Sequence, residues 1–254
     1  MIKFGLFSDL HYSLPGTEER GNSSRTFDDS IKAMARFASE KVDFVVSLGD
    51  NIQPAENAAG QYIQLKNMLT AWSKFGIPIH LSHGNHDFQQ LSLEDMMEIQ
   101  QIDRTYYGFD LKGTRFLILD SCFNPDGTHF SEDNFDWRFG KISDDQVEWL
   151  KEKLTDKMRT FVFCHYNLYF DPEYEYTDWY QAANKEEVRS IMESAGCVEA
   201  VFQGHYHSSR RFMLNNIHYI NIPSPILSDD FSPDDFPIVE LREKGFLMNG
   251  EKIV

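Results

Sequence analysis

The chain has 254 residues, 41% of them hydrophobic and 25% charged, with a formal net charge of −16. That length buries a full core, and the composition is that of a globular protein rather than a disordered or fibrous one. So acidic a surface repels phosphate backbones, which argues against nucleic acid polymers as partners unless bound cations offset the charge locally.

In chain order, the apolar run Ile2–Phe7 predicts a first strand, ending at Ser8-Asp9. A helix follows over residues 24–41, where Phe27, Ile31, Met34, Ala35 and Ala38 recur at spacings of three and four. A strand over 44–48 runs into Gly49-Asp50, a helix over 58–74 follows, and a strand over 77–82 leads to Gly84-Asn-His-Asp87. This β-α-β-α-β order predicts parallel strands with crossover helices. Residues 106–111 and 115–120 flank Lys112-Gly113-Thr114 as a hairpin. The glycine-, aromatic- and acid-rich stretch 121–141 reads as a long loop, and Ser143-Asp-Asp-Gln146 has capping-box form and opens a helix through Leu154. A strand over 160–164 ends at His165, and an aromatic, acidic insert spans 166–180. Then come a helix over 185–193, strands over 198–203 and 217–222, and an edge hairpin within 238–248. Met96 and Met97 read as ordinary helix packing. No linker divides the chain, so one α/β domain over 1–254 is expected, with insertions near 121–141 and 166–180. Cys122, Cys164 and Cys197 are scattered and odd in number, which suits no disulfide framework. With no signal-peptide pattern at the N-terminus and no long apolar run, a cytoplasmic protein without membrane contact is expected.

The polar residues gather where these strands end: Asp9 and His11, Asp50, Asn85 to Asp87, His165, then His205 and His207. In open α/β sheets, ligands bind beyond the carboxyl ends of strands. In an extended segment, residues i and i+2 face one side, so Asp9 with His11, and His205 with His207, could each act as a two-pronged ligand. Carboxylate, imidazole and amide donors without a thiolate suit Mn, Fe or Zn. Asp9, His11, Asp50, Asn85, His165, His205 and His207 are too many for one open site and divide into two if a carboxylate bridges. Two cations ~3.5–4 Å apart form a clamp for phosphoryl displacement.

Taken in order, D-x-H, GD, GNHD, a lone histidine after an apolar strand, and GHxH resemble the signature of calcineurin-like metallophosphoesterases, over Asp9 to His207. The resemblance implies a four-layer αββα sandwich holding two divalent or trivalent transition-metal ions. By that likeness Asp9, His11 and His207 hold one ion, Asn85, His165 and His205 the other, and Asp50 bridges them. A hydroxide between the ions is the implied nucleophile. His86 resembles the residue that contacts phosphate, alongside Asn85, and protonates the leaving oxygen. Asp87 is expected to orient one of the histidines. The implied partner is a small-molecule phosphoester, with a phosphodiester the first expectation. A nucleotide pyrophosphate or phosphomonoester is the alternative, and a non-catalytic scaffold of the same fold is the reading from another class.

Departures from the pattern narrow the family. No Asp-Arg-Gly follows the GD motif, which disfavours the Ser/Thr protein phosphatase branch, and Gln53 stands where purple acid phosphatases place a metal-binding tyrosine. Arg210 and Arg211 follow GHYH and could reach a substrate phosphate, with a surface role the blander reading; Arg25 is a weaker candidate. His80, His129 and His218 read as structural, and His83 as either a support for the site or a turn residue. The aromatic residues Tyr166, Tyr169, Phe170, Tyr174, Tyr176, Trp179 and Tyr180 read as cover over the sheet edge or as a stacking surface for a nucleobase. The same alternatives hold for Phe123, Phe130, Phe135 and Trp137.

Overall fold

Alternation along the strands separates two apolar faces, and that separation dictates a layered architecture. The computed structural model describes residues 1–14, 22–134, 136–171, 173 and 177–253. Phe135, Tyr174 and Tyr176 lie outside the described residues.

The first sheet holds β1 (Ile2–Phe7), β2 (Phe44–Ser47), β3 (Ile79–Leu81), β10 (Ile238–Leu241), β11 (Phe246–Met248) and β12 (Glu251–Ile253), in the order β12-β11-β10-β1-β2-β3. The second holds β4 (Tyr107–Leu111), β5 (Thr114–Ile118), β6 (Thr160–Cys164), β7 (Val198–Gln203), β8 (Arg210–Leu214) and β9 (Ile217–Asn221), in the order β4-β5-β6-β7-β9-β8. β1, β2 and β3 are parallel neighbours, and so are β5, β6, β7 and β9.

Between the sheets lies a core rich in phenylalanine. Phe4 stacks on Phe44 at 5.0 Å and meets Phe163 and Phe202 edge-on at 5.7 Å each. These geometries suit the aromatic quadrupole. The intervening strand residues face outward. Phe7 and Val45 pack with Ala33, Met34 and Phe37 of α1 (Ser23–Ser39) and with Leu65, Met68 and Trp72 of α2 (Ala58–Ser73), beside which lies α3 (Leu93–Gln100). On the other side, Val162 and Val201 pack with α4 (Asp144–Lys153) and α5 (Lys185–Ala195) through Val147, Leu150, Val188 and Met192. The result is the expected αββα sandwich.

Local differences from the sequence reading have identifiable causes. Leu111 pairs with Thr114, so Lys112 and Gly113 alone make the turn, both at positive φ as a tight hairpin of primed type requires. β8 was not expected. It pairs with β9 across Asn215-Asn216, both at positive φ, a hairpin turn without the usual glycine. β12 likewise adds an unexpected edge strand beyond β11. No capping box forms at Ser143. The Gln146 carboxamide instead spans the Asp120 backbone, accepting from its N–H at 2.9 Å and donating to its carbonyl at 2.8 Å. The box forms at Ser92 and Asp95, opening α3.

Candidate metal centre

Every donor expected from the sequence sits on a turn just past the carboxyl end of a strand. Asp9 and His11 follow β1, Asp50 follows β2, Asn85 follows β3, His165 follows β6, and His205 and His207 follow β7. Backbone bonds knit these turns together: Asp9 N–H donates to the Gly49 carbonyl at 2.9 Å, and Gly204 N–H to that of His165 at 3.0 Å. Gly49 has φ of +98°, and a Cβ there would strike the Gly84 backbone, so the two glycines let the Asp50 and Asn85 turns touch.

The expected reason for the i, i+2 pairing does not hold. Asp9, His11, Asp50, His205 and His207 have φ of 51°, 46°, 51°, 67° and 64°. They are left-handed turn residues, not continuations of the strands. Such a conformation costs a non-glycine residue about 1–2 kcal/mol, and strain of this kind clusters at functional sites.

The donors converge in two groups sharing Asp50: Asp9, His11, Asp50 and His207 in one, and Asp50, His165 and His205 in the other. His11 Nε2 lies 3.0 Å from His207 Nε2 and 3.6 Å from Asp50 Oδ2. His165 Nε2 lies 3.4 Å from Asp50 Oδ2, 3.1 Å from His205 Nδ1 and 3.1 Å from Asn85 Oδ1. Asn85 thereby joins the second group through its amide oxygen. Asn85 Nδ2 and His205 Nε2 are buried without a hydrogen-bond partner among the described residues. Ring nitrogens aimed at each other with carboxylate oxygens between them are what two cations would reconcile. The residues therefore fit a binuclear centre.

Outer contacts fix which nitrogen faces inward. His165 Nδ1–H donates to the Leu48 carbonyl at 2.8 Å, leaving Nε2 for ligation. The Gln53 carboxamide nitrogen lies 2.7 Å from His11 Nδ1, and Gln64 donates to the backbone carbonyl of Gln53 at 2.9 Å, fixing the segment that carries it. This role of Gln53 was not legible in the sequence, where the residue registered only as a missing tyrosine. Asp9 accepts from the His205 N–H at 3.0 Å, tying the first turn to the last.

Charge at the centre is strongly coupled. Burial works to raise the Asp50 carboxyl, but His165, His86 and His11 outweigh it and hold it well below the usual range. Asp9 is likewise lowered, against its burial, chiefly by His207. His205 is pushed down to about 3 by burial and by the charge on His165, so its imidazole is neutral, as a ligand must be. His165 goes up to about 9, because Asp50 overcomes the effect of burial, so its ring carries a proton that a cation binding at Nε2 would displace.

His86 belongs to neither group. Its N–H donates to Asp50 Oδ1 at 2.7 Å, its ring meets that of His11 edge-on at 4.7 Å, and it faces the cavity. Asp87 corrects an expectation: its carboxylate orients backbone, not a histidine. It accepts from the N–H groups of Asn51 at 2.8 Å and Gly84 at 3.0 Å and from the Asn51 carboxamide at 3.1 Å, bracing the turns that carry Asp50 and Asn85. Burial and the neighbouring Asp50 raise it to about 7. Arg210 is not among the residues lining the cavity. Its guanidinium lies over the Tyr206 ring and donates to the Ser209 carbonyl at 2.8 Å. Arg211 pairs with Glu251, and Arg25 with Asp29 and the Ser228 carbonyl. His80 stacks on Phe109 at 4.0 Å, and His83 is buried against Gln100, with burial lowering both to about 4. His129, from the long loop, pairs with buried Asp120 at 3.0 Å.

A cavity of about 310 Å³ opens over the donors, lined by Asp50, Asn85, His86, His205 and His207 together with Trp137 and Tyr180. Residues 2–209 match the family model of the calcineurin-like phosphoesterases. The chain belongs to that family. With two donor clusters in place, it is a metal-dependent phosphohydrolase. It is 24% identical to a mouse serine/threonine-protein phosphatase, CPPED1, over 81% of this chain and 66% of the relative. The same identity links it to a manganese-dependent ADP-ribose/CDP-alcohol diphosphatase of rice, over 82% and 78%. The 3′,5′-cyclic AMP phosphodiesterase CpdA of Escherichia coli K12 matches at 24% over 86% and 72%. Among solved structures, a dimetal phosphatase from Danio rerio superposes with a TM-score of 0.79 at 20% identity, covering 99% of this chain and 98% of that one. No helix among the described residues is long and apolar enough to cross a membrane.

Proposed function

We propose that the chain hydrolyses a phosphoanhydride in a nucleoside-diphosphate-linked small molecule, with the phosphodiester expected first from sequence now the second reading. The sharing of Asp50 by two donor clusters, with His86 beside it, carries the hydrolytic part of this proposal. The rice diphosphatase, similar over most of both chains, supports the anhydride. The cyclic AMP phosphodiesterase similarity keeps the diester reading, and the mouse phosphatase similarity a monoester. When bound, the two cations would supply Lewis acidity, both for an attacking water and for the charge on the phosphoryl group.

The chain's own residues do the rest. In this reading Asp9, His11 and His207 hold one cation, Asn85, His165 and His205 the other, and Asp50 both. Asn85 Nδ2, buried and without a partner among the described residues, donates to a phosphoryl oxygen. His86, anchored through its backbone, protonates the leaving oxygen as the P–O bond breaks. Asp87 keeps the two turns in register. The acidic surface disfavours nucleic acid polymers, and the free, buried thiols of Cys122 and Cys164 suit a reducing, cytoplasmic setting.

The test is a manganese-loaded preparation offered ADP-ribose, a CDP-alcohol, cyclic AMP and a phosphomonoester. Highest kcat/KM on the first two supports the proposal. Preference for cyclic AMP installs the diester reading, and inertness toward all four with two metals bound favours a scaffold.

A further inference from the structure

The aromatic insert does not act as a unit. Tyr166 and Phe170 are fully buried; Tyr169 and Phe170 pack against Phe212, and Tyr169 also against Tyr219, closing the sheet edge. Tyr180 and, from the other long loop, Trp137 are only half-buried and turn toward the cavity. Their rings lie 6.0 Å apart, inclined at 50°, and stand 5.2 Å and 6.1 Å from the ring of His205. Trp179, more exposed than either, meets Trp137 edge-on at 6.0 Å.

Both walls are anchored to the turn that carries the metal donors. The hydroxyl of Tyr166, whose ring packs on His205 at 4.3 Å, donates to the Trp137 carbonyl at 2.6 Å. Buried Asn167 donates to the Tyr180 carbonyl through its backbone at 2.9 Å and its side chain at 3.2 Å, and to the Gly204 carbonyl at 3.0 Å. Gln203 and Asn221 complete this amide cluster, each donating to Asn167. An aromatic wall fixed at one distance from the phosphoryl site is preorganised for a planar group carried by the same substrate. Among the described residues lining the cavity none is Lys or Arg, so Trp137 and Tyr180 present π faces rather than charge.

We infer that Trp137 and Tyr180 are specificity-determining residues forming a stacking subsite for the nucleobase of the substrate, on the His205 side of the metal centre. The inference rests on the nucleotide reading above and goes beyond it by naming the residues and the mode. Recognition is by the face of the base, so purines and pyrimidines are both accepted.

Binding separates this inference from the identity of the reaction. Calorimetry on manganese-loaded protein compares AMP, CMP, ribose 5-phosphate and choline phosphate, with phosphate release followed so that turnover is not mistaken for binding. AMP and CMP should bind at least ~5-fold more tightly than ribose 5-phosphate, as one base stacked on an aromatic ring would give. Trp137→Leu and Tyr180→Leu should each erase most of that difference, leaving ribose 5-phosphate affinity and metal content unchanged. Trp137→Phe and Tyr180→Phe should restore it. In turnover, the Leu variants raise KM for a nucleotide substrate with little change in kcat. Equal binding of AMP and ribose 5-phosphate by the parent protein overturns the inference, as does a base preference that survives both Leu variants. Tighter binding of choline phosphate than of AMP also overturns it. Base-dependent binding that vanishes in the Leu variants upholds the subsite even if no nucleoside-diphosphate-linked compound is hydrolysed.

Discussion

Phe4 and Asp9 belong to one strand and the turn that ends it, yet they act oppositely on stability. Phe4 sits among aromatic rings between the sheets, where full burial of such a side chain contributes about 1.5–3 kcal/mol. Asp9 is equally buried but charged and left-handed, facing other donors. The strand middles generate stability, and their carboxyl ends offset part of it to hold side chains in positions that bind cations. Two regions this close can differ so much because the pleat aims each residue independently, while the turn beyond it is held by backbone bonds to its neighbours.

That division can be broken from either side. The largest effect is expected at Asp50. Asp50→Ala should lower activity by at least ~10³-fold, the upper range for one lost electrostatic donor, because both clusters lose a ligand. Its melting temperature in chelator should fall, because the buried His86 N–H loses its acceptor and the neighbouring histidines lose the carboxylate they stabilise. One fully retained metal with activity within tenfold of the parent would refute the bridging role. His86→Ala should reduce kcat by about 10²–10⁴-fold with metal content unchanged, by elemental analysis; loss of metal would place His86 within the clusters. In the strand middles, Phe161→Ala should cost about 3–5 kcal/mol in denaturant unfolding. The protein that remains folded should keep parental kcat, and a lower kcat there would show that the two regions are not separable.

Gln53→Leu sharpens the comparison within the rim. It should weaken the cation held by His11 by about 10–100-fold and leave the other unaffected, in a metal titration. The smallest effect concerns His129 and Asp120, a buried pair outside the centre. Burial works to lower His129, but Asp120 wins and raises it above its ordinary value. Its stabilisation is therefore fully present below about pH 6.5, the usual histidine pKa, and fades as pH rises through the higher folded value. His129→Gln should flatten that part of the stability–pH curve in unfolding experiments, without shifting metal content. An unchanged slope would remove the pair from the account.

Much of this was local and therefore legible. Apolar runs with polar ends announced β1, β2, β3 and β6, and the donors Asp9, Asp50, Asn85 and His165 stand where those ends demand. Local spacing also misled. Ser143 and Gln146 have the letters of a capping box, yet Gln146 is taken by the Asp120 backbone. Asp87 looked like a partner for a histidine and serves backbone N–H groups instead. By itself the sequence determined an α/β chain with polar residues gathered at its strand ends, because strand period and turn chemistry act over a few residues; the four-layer sandwich and the division of the candidate donors into two sites came from the resemblance of the ordered motifs to calcineurin-like metallophosphoesterases. Only the tertiary structure decided the left-handed turns, the support of His11 by Gln53, and the meeting of Trp137 with Tyr180 beside His205. Those depend on contacts between segments far apart in the chain, whose geometry is set by sheet pairing and not by neighbours in sequence.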